Sequence, residues 1–175
     1  MLLHESRRNA RSTPEGDLIL LEDQDRTLWD RECIAEGLAL VRMTLTSRRW
    51  GPYTLQAAIS ATHAAASSVA NTDWQQVVQL YEMLMQIAPS PVVNINLAAA
   101  IAMRDGPAAG LARMDAIMAE DHLLDYHLAH AARADLCRRL GRFSEARISY
   151  LRAMELAQQE PERRFLQRQL SELPA

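Results

Sequence analysis

Apolar residues recur along most of this chain at helical spacing. From Trp74, just after the N-cap candidates Asn71, Thr72 and Asp73, the residues Val77, Tyr81 and Leu84 fall at i, i+4 and i+7 on one helical face. Pro89 stops that helix. Moving on 33 positions, Gly110, Met114 and Ile117 repeat the pattern after an Asp105-Gly106-Pro107 turn. Another 36 positions on, Ala146, Tyr150 and Ala153 repeat it again after Leu140-Gly141-Arg142. Three matches near one period predict stacked structural units, each unable to bury its apolar face alone.

A period of about 34 residues, with a small or apolar residue, four on to an aromatic, three on to another small or apolar one and five on to Pro as at Val77, Tyr81, Leu84 and Pro89, is that of the second helix of a tetratricopeptide repeat. The first helices are expected at Pro52–Ala65, Pro91–Arg104 and Asp125–Leu140. Their packing faces are expected to include Ala98, Ala99 and Ala102 in the second, and Leu128, Ala131 and Ala134 in the third, since small residues let helix axes approach closely. Tyr81 and Tyr150 should be largely buried between helices. A helix from Pro161 to Glu172 presents Phe165, Leu166 and Leu170 to cover the last repeat, which has no further neighbour. Upstream, Met1–Arg11 is expected to be helical, and Asp17–Leu21 a short extended or buried connector. A long helix from Gln24 to Thr46 should follow, with Leu28, Ile34, Leu38, Val41 and Leu45 on its inner side. The abrupt start, with no N-cap before Leu2, suggests a chain cut from something longer. The expected fold is all-α: a tetratricopeptide-like stack of helical hairpins forming a right-handed solenoid, with an N-terminal helical segment and a C-terminal capping helix. It forms one domain over 1–175, with N-terminal helices and connector over 1–50, three degenerate repeats over 51–158 and the cap over 159–175.

Composition agrees with helix: 28 of 175 residues are alanine, and only 6 are glycine. The two cysteines, Cys33 and Cys137, show no paired spacing, which excludes a disulfide scaffold and a zinc ribbon. No apolar run approaches the ~20 residues of a bilayer span, and no signal peptide opens the chain, so a cytoplasmic protein is expected. All 19 basic residues are arginine. An active-site lysine, a Walker-type phosphate-binding lysine and a Schiff-base mechanism are thereby excluded. Charge is uneven: residues 12–36 hold eight acids and two arginines, while 133–168 hold nine arginines and five acids. An acidic head and a basic tail either attract one another or form two solvated faces.

Candidate chemistry is sparse. Glu22-Asp23-Gln24-Asp25-Arg26 is the densest polar motif. Carboxylates at a helix start gain about 0.3–1 kcal/mol each from its dipole. A divalent-metal loop would use such a run too, but would need more oxygen donors and a turn glycine. His122, His127 and His130 lie close in sequence, and His127 and His130 at i, i+3 share a helical face suited to a metal, with Asp121 or Asp135 as an outer carboxylate. The zincin spacing is absent, and hydrogen-bonded helix histidines satisfy the same pattern. No nucleophile elbow, dinucleotide fingerprint or phosphate loop occurs, so a non-enzymatic chain without cofactor or bound metal is expected. The arginines Arg138, Arg139, Arg142, Arg147, Arg163, Arg164 and Arg168 read as a salt-bridged helical face, because acids intersperse them and few aromatics accompany them. Trp29, Trp50 and Trp74 suit the core or helix junctions.

Longer strings carry a resemblance. Leu20-Leu21-Glu22-Asp23-Gln24-Asp25-Arg26 with Trp29-Asp30, Gly51-Pro52-Tyr53-x-Leu55-Gln56-Ala57-Ala58-Ile59 and Thr72-Asp73-Trp74 form the first half of the set. Pro89-Ser90-Pro91-Val92-Val93, Tyr126-His127-Leu128-x-His130-Ala131-Ala132-Arg133-Ala134-Asp135-Leu136 and Glu162-Arg163-Arg164-Phe165-Leu166 complete it. Together they resemble the C-terminal tetratricopeptide-like extension of a group of bacterial extracytoplasmic-function RNA polymerase sigma factors. One departure is at Asn96, followed here by Leu97 where that family commonly has arginine.

The resemblance implies a regulatory and protein-interaction module that controls transcription initiation in cis. Its partners would be the sigma regions of the same polypeptide, RNA polymerase and a YCII-related protein. Promoter DNA would be reached only through the sigma regions, which are absent from these residues; no membrane is involved. The contact residues it points to are Glu22, Asp23, Asp25, Arg26, Trp29, Tyr53 and Gln56, together with Tyr126, His127, His130, Arg133 and Asp135. The alternative is a small-molecule or metal-sensing helical domain, using the acidic motif and the histidine helix.

Overall fold

The computed structural model describes residues 2–47, 51–119 and 123–174. Trp50, Asp121 and His122, named above, lie outside them. Among the described residues the regular structure is helical, and one isolated bridge, Ser12 with Leu18, is the only β-type pairing. No helix is long and apolar enough to cross a membrane. The chain divides into two compact units, Met1–Pro89 and Ser90–Ala175, so the boundary falls inside the segment read as three repeats.

The first unit contains α1 (Leu2–Glu5), 3₁₀ turns at Arg8–Ala10 and Arg26–Leu28, α2 (Arg31–Thr46), α3 (Pro52–Ala65) and α4 (Trp74–Ile87). The helix expected over Met1–Arg11 is therefore broken. The Ser6 hydroxyl, 2% exposed, donates back to the Leu3 carbonyl, and the Ser6 carbonyl accepts from the Asp30 amide instead of continuing a helix. The helix expected from Gln24 begins at Arg31. Trp29 is extended, and the Asp30 carboxylate accepts from the amides of both Glu32 and Cys33 at 2.9 Å, making it the N-cap. Leu28, outside α2, and Leu45, near its end, are consequently exposed, while Ile34 and Val41 are buried and Leu38 packs beside them. Trp29, Ala58, Ala61 and Ala64 complete this core, and Leu3 fills the space that Gly37 leaves open. α3 has the expected bounds, with Pro52 in its first turn; α4 starts after Asp73, whose carboxylate accepts from the Gln76 amide.

The second unit contains α5 (Pro91–Asp105), α6 (Pro107–Met118), α7 (His127–Arg139), α8 (Phe143–Leu156) and α9 (Glu160–Ser171), each packed on the next in sequence. Gly106, at φ +98°, both ends α5 and precedes Pro107 of α6, a conformation open to glycine at no steric cost. The core holds two of the expected triads intact: Gly110, Met114 and Ile117 in α6, and Ala146, Tyr150 and Ala153 in α8. In α4, Val77 and Leu84 are buried and Tyr81 is partly so. Two of the expected packing residues are displaced. α5 buries Ile95, Ala98 and Ala102 on one side and Leu97 and Ala100 on another, leaving Ala99 on the exposed strip. α7 starts later than Asp125, and its buried face runs through Ala129, Ala134, Leu136 and Cys137, which leaves Leu128 exposed. In α9, Leu166 is buried, and Phe165 and Leu170 pack against the same core.

Candidate functional site

The acidic motif forms a turn and a 3₁₀ segment ahead of α2, rather than the helix entry expected for it. Asp25 accepts from the Thr27 amide at 2.8 Å and the Thr27 hydroxyl at 2.7 Å, and these bonds hold its carboxyl below the usual range. Glu22 and Asp23 are exposed and have no side-chain partner among the described residues. Arg26 turns the other way. Its Nη1 donates to the carbonyls of His63 at 3.0 Å and Ala66 at 2.7 Å, satisfying carbonyls at the C-terminal end of α3. Its guanidinium carbon sits 4.4 Å from the centroid of the Trp29 ring, and Arg7 approaches the same ring at 5.6 Å. Trp29 is thus a core residue, the setting its sequence context also suits, with two guanidinium groups against its ring rather than an exposed face for a partner.

His63 was not singled out in the sequence, because one histidine on an apolar helix carries no signal of its own. It packs edge-on against Trp74, with ring centroids 5.2 Å apart. Burial, then the charges of Arg7 and Arg26, push its pKa down to about 4. The unfolded chain keeps the ordinary value of 6.5. The stabilisation from a neutral His63 is therefore complete above pH 6.5 and lost as pH falls from there towards 4. The expected loss is roughly 2–3 kcal/mol. Urea unfolding at pH 7 and pH 4.5 should show it, and His63→Gln should flatten the difference; an equal acid loss in that variant would assign the effect elsewhere.

Tyr53 and Gln56 share the outer face of α3, opposite the buried Leu55, and Tyr53 is 81% exposed. An aromatic side chain left this open carries a large apolar surface with no internal use. On the other side of α3, Leu38, Val41, Leu45, Ala58 and Leu80 line a groove of about 320 Å³.

In the second unit the predicted residues are largely engaged with neighbouring side chains and backbone. Tyr126 is the N-cap of α7 and meets the His127 ring edge-on. His127 Nε2 lies 3.3 Å from Glu162 Oε1 on α9, close enough for an ion pair but not aligned for a hydrogen bond. His130 Nε2–H donates to the Leu124 carbonyl at 2.9 Å. The two rings are thus committed to different neighbours, and no cluster of three metal-ligating side chains occurs among the described residues. Asp135 pairs with Arg138 at 2.6 Å within α7. Arg133 is a hub: Nε donates to Asp115 on α6 at 2.7 Å, Nη1 to Ser149 on α8 at 2.9 Å and Nη2 to Glu145 on α8 at 3.3 Å. Burial of the guanidinium works against its charge, and Asp115 and Glu145 outweigh it, so its pKa is raised. Arg133 therefore ties three helices together, and its place on a contact surface is not what the geometry uses it for. Arg142 and Arg147 of the basic run are also engaged, with Glu145 and the Pro174 carbonyl.

Comparison with known proteins adds relatives without assigned roles. Residues 1–45 match a family of unknown function, DUF6596. The whole chain is 42% identical over 175 residues to an uncharacterized protein of Rhizobium meliloti (strain 1021). The chain spans 41% of the length of that relative. No solved structure matches the chain at a significant level.

Proposed function

We propose that this chain is a non-enzymatic regulatory module of the extracytoplasmic-function sigma factor type, a tetratricopeptide-like array that controls transcription initiation in cis. The observation that carries the reading is the set Glu22, Asp23 and Tyr53: exposed motif residues without a use in the interior of the first unit. Three helix pairs with the same i, i+4, i+7 apolar triad support the repeat reading: α3 with α4, α5 with α6 and α7 with α8. The partners are the sigma regions of the same polypeptide, RNA polymerase and, as a further candidate, a YCII-related protein. Docking would use the open ring of Tyr53 with Gln56 on α3, and the free carboxylates of Glu22 and Asp23, since protein interfaces combine apolar anchors with charged groups at the rim.

The direct test is retention of separately expressed sigma regions, or of polymerase, by this chain at low salt. Charge at the motif is tested by changing Asp23 and Asp25 together to Asn. Asn keeps an acceptor for Thr27 and removes the charge, so folding should persist while sigma-dependent transcription falls several-fold. Unchanged transcription with both changes would reduce the motif to a local cap. No retention of either partner would remove the in-cis reading.

A further inference from the structure

Around Trp29 the first unit leaves two buried hydrogen-bond donors unmet, the Trp29 indole N–H and Arg26 Nη2. Trp29 is 3% exposed, and its Nε1 is buried without an acceptor. Arg26 spends Nη1 on the end of α3, but its Nη2 is buried and unpartnered too. A cavity of about 230 Å³ opens beside them, lined by Arg26, Trp29, Arg31 and the Ala64–Ser67 segment. No carboxylate among the described residues forms an ion pair with Arg7, Arg26 or Arg31. A buried donor left unmet costs the fold its desolvation energy, and native structures rarely tolerate several together.

We propose that this cavity is a binding site for a small oxyanion, a carboxylate or a phosphate, held by Arg26, Arg31 and the Trp29 indole N–H. Among the described residues, Arg31 makes one hydrogen bond, a long one of 3.4 Å to the Arg26 carbonyl, so its charge can turn towards an anion. Arg26 offers its remaining N–H, and the two guanidinium groups suit the planar or tetrahedral oxygens of either anion. The cavity has room for a small oxyanion such as acetate or phosphate. The inference stands apart from the regulatory reading above, since it concerns binding by this chain alone.

The test titrates the full chain with sodium phosphate and, separately, sodium acetate at constant ionic strength, following the Trp29 indole N–H by NMR. Saturable movement of that resonance with either salt is expected, and the salt that acts identifies the ligand chemistry. Arg31→Gln lies on an exposed, non-capping position and should fold; it should weaken the affinity about tenfold, as removal of a charge-assisted contact does. Arg26→Gln, which can lose the α3 contact as well, is the supporting variant. Absence of saturable movement with both salts, or undiminished affinity in Arg31→Gln, overturns the proposal.

Discussion

Replacing Tyr150 with Ala is expected to destabilise the Ser90–Ala175 unit by about 3–5 kcal/mol, the range for large aromatics removed from a core. Tyr150 is 2% exposed and sits in the core with Met114, Ala134 and Cys137. Charged groups reach only its hydroxyl end: burial, then the Asp135 charge, push its pKa up to about 12, while Arg138 acts in the opposite sense. Truncation removes the ring and leaves a space that alanine-rich neighbours are too small to fill. Tyr150→Phe separates the two contributions, since it keeps the volume and drops only the hydroxyl; it should cost about 1 kcal/mol. Urea unfolding of the three proteins measures both. A loss below about 1 kcal/mol for the Ala variant would place Tyr150 in a surface-like setting.

An effect of comparable size is expected from Gly110→Val. A Cβ at this position would lie 2.4 Å from the Ala102 Cβ and 2.9 Å from the Ala98 carbonyl oxygen. Both neighbours belong to α5, and one is backbone, so no flexible side chain can yield. α5 and α6 must separate, which loses the contacts of Ala98, Ala102 and Met114 together. Overpacking of this severity costs about 3 kcal/mol, at the upper end of the usual range. Gly110→Ala should cost less, and shrinking the facing residue with Ala102→Gly should recover part of it. Thermal unfolding of the single and double variants would show the coupling; strictly additive losses would mean that the two positions do not share one space.

Helix identity was legible wherever a small or apolar residue recurred at i, i+4 and i+7, because that period reports a face and needs no knowledge of the neighbour. Gly110, Met114, Ile117, Ala146, Tyr150 and Ala153 were found this way. The start of α2 was not, because Asp25 and Asp30 lie five residues apart and both cap a turn, Asp25 the 3₁₀ segment and Asp30 the helix. The choice between them depends on Ser6, whose carbonyl takes the Asp30 amide from a distant part of the chain. Ala99 and Leu128 failed for a related reason: alanine-rich helices carry weak faces, so a small error in the phase moves the buried strip. Among the site residues, charge alone could not separate Glu22 and Asp23, which stay free, from Arg133, which is consumed by its neighbours.

The Arg133 hub bears on how the second unit opens. One guanidinium contributes bonds to α6 through Asp115 and to α8 through Ser149 and Glu145. Fraying of α7 near Arg133 therefore releases both neighbours at the same moment, and neither α6 nor α8 can leave without discharging a buried or shared polar group. The amide protons of these three helices should accordingly exchange with solvent as a single cooperative block, with one common opening energy, whereas α9, which packs on α8 outside this network, should exchange earlier.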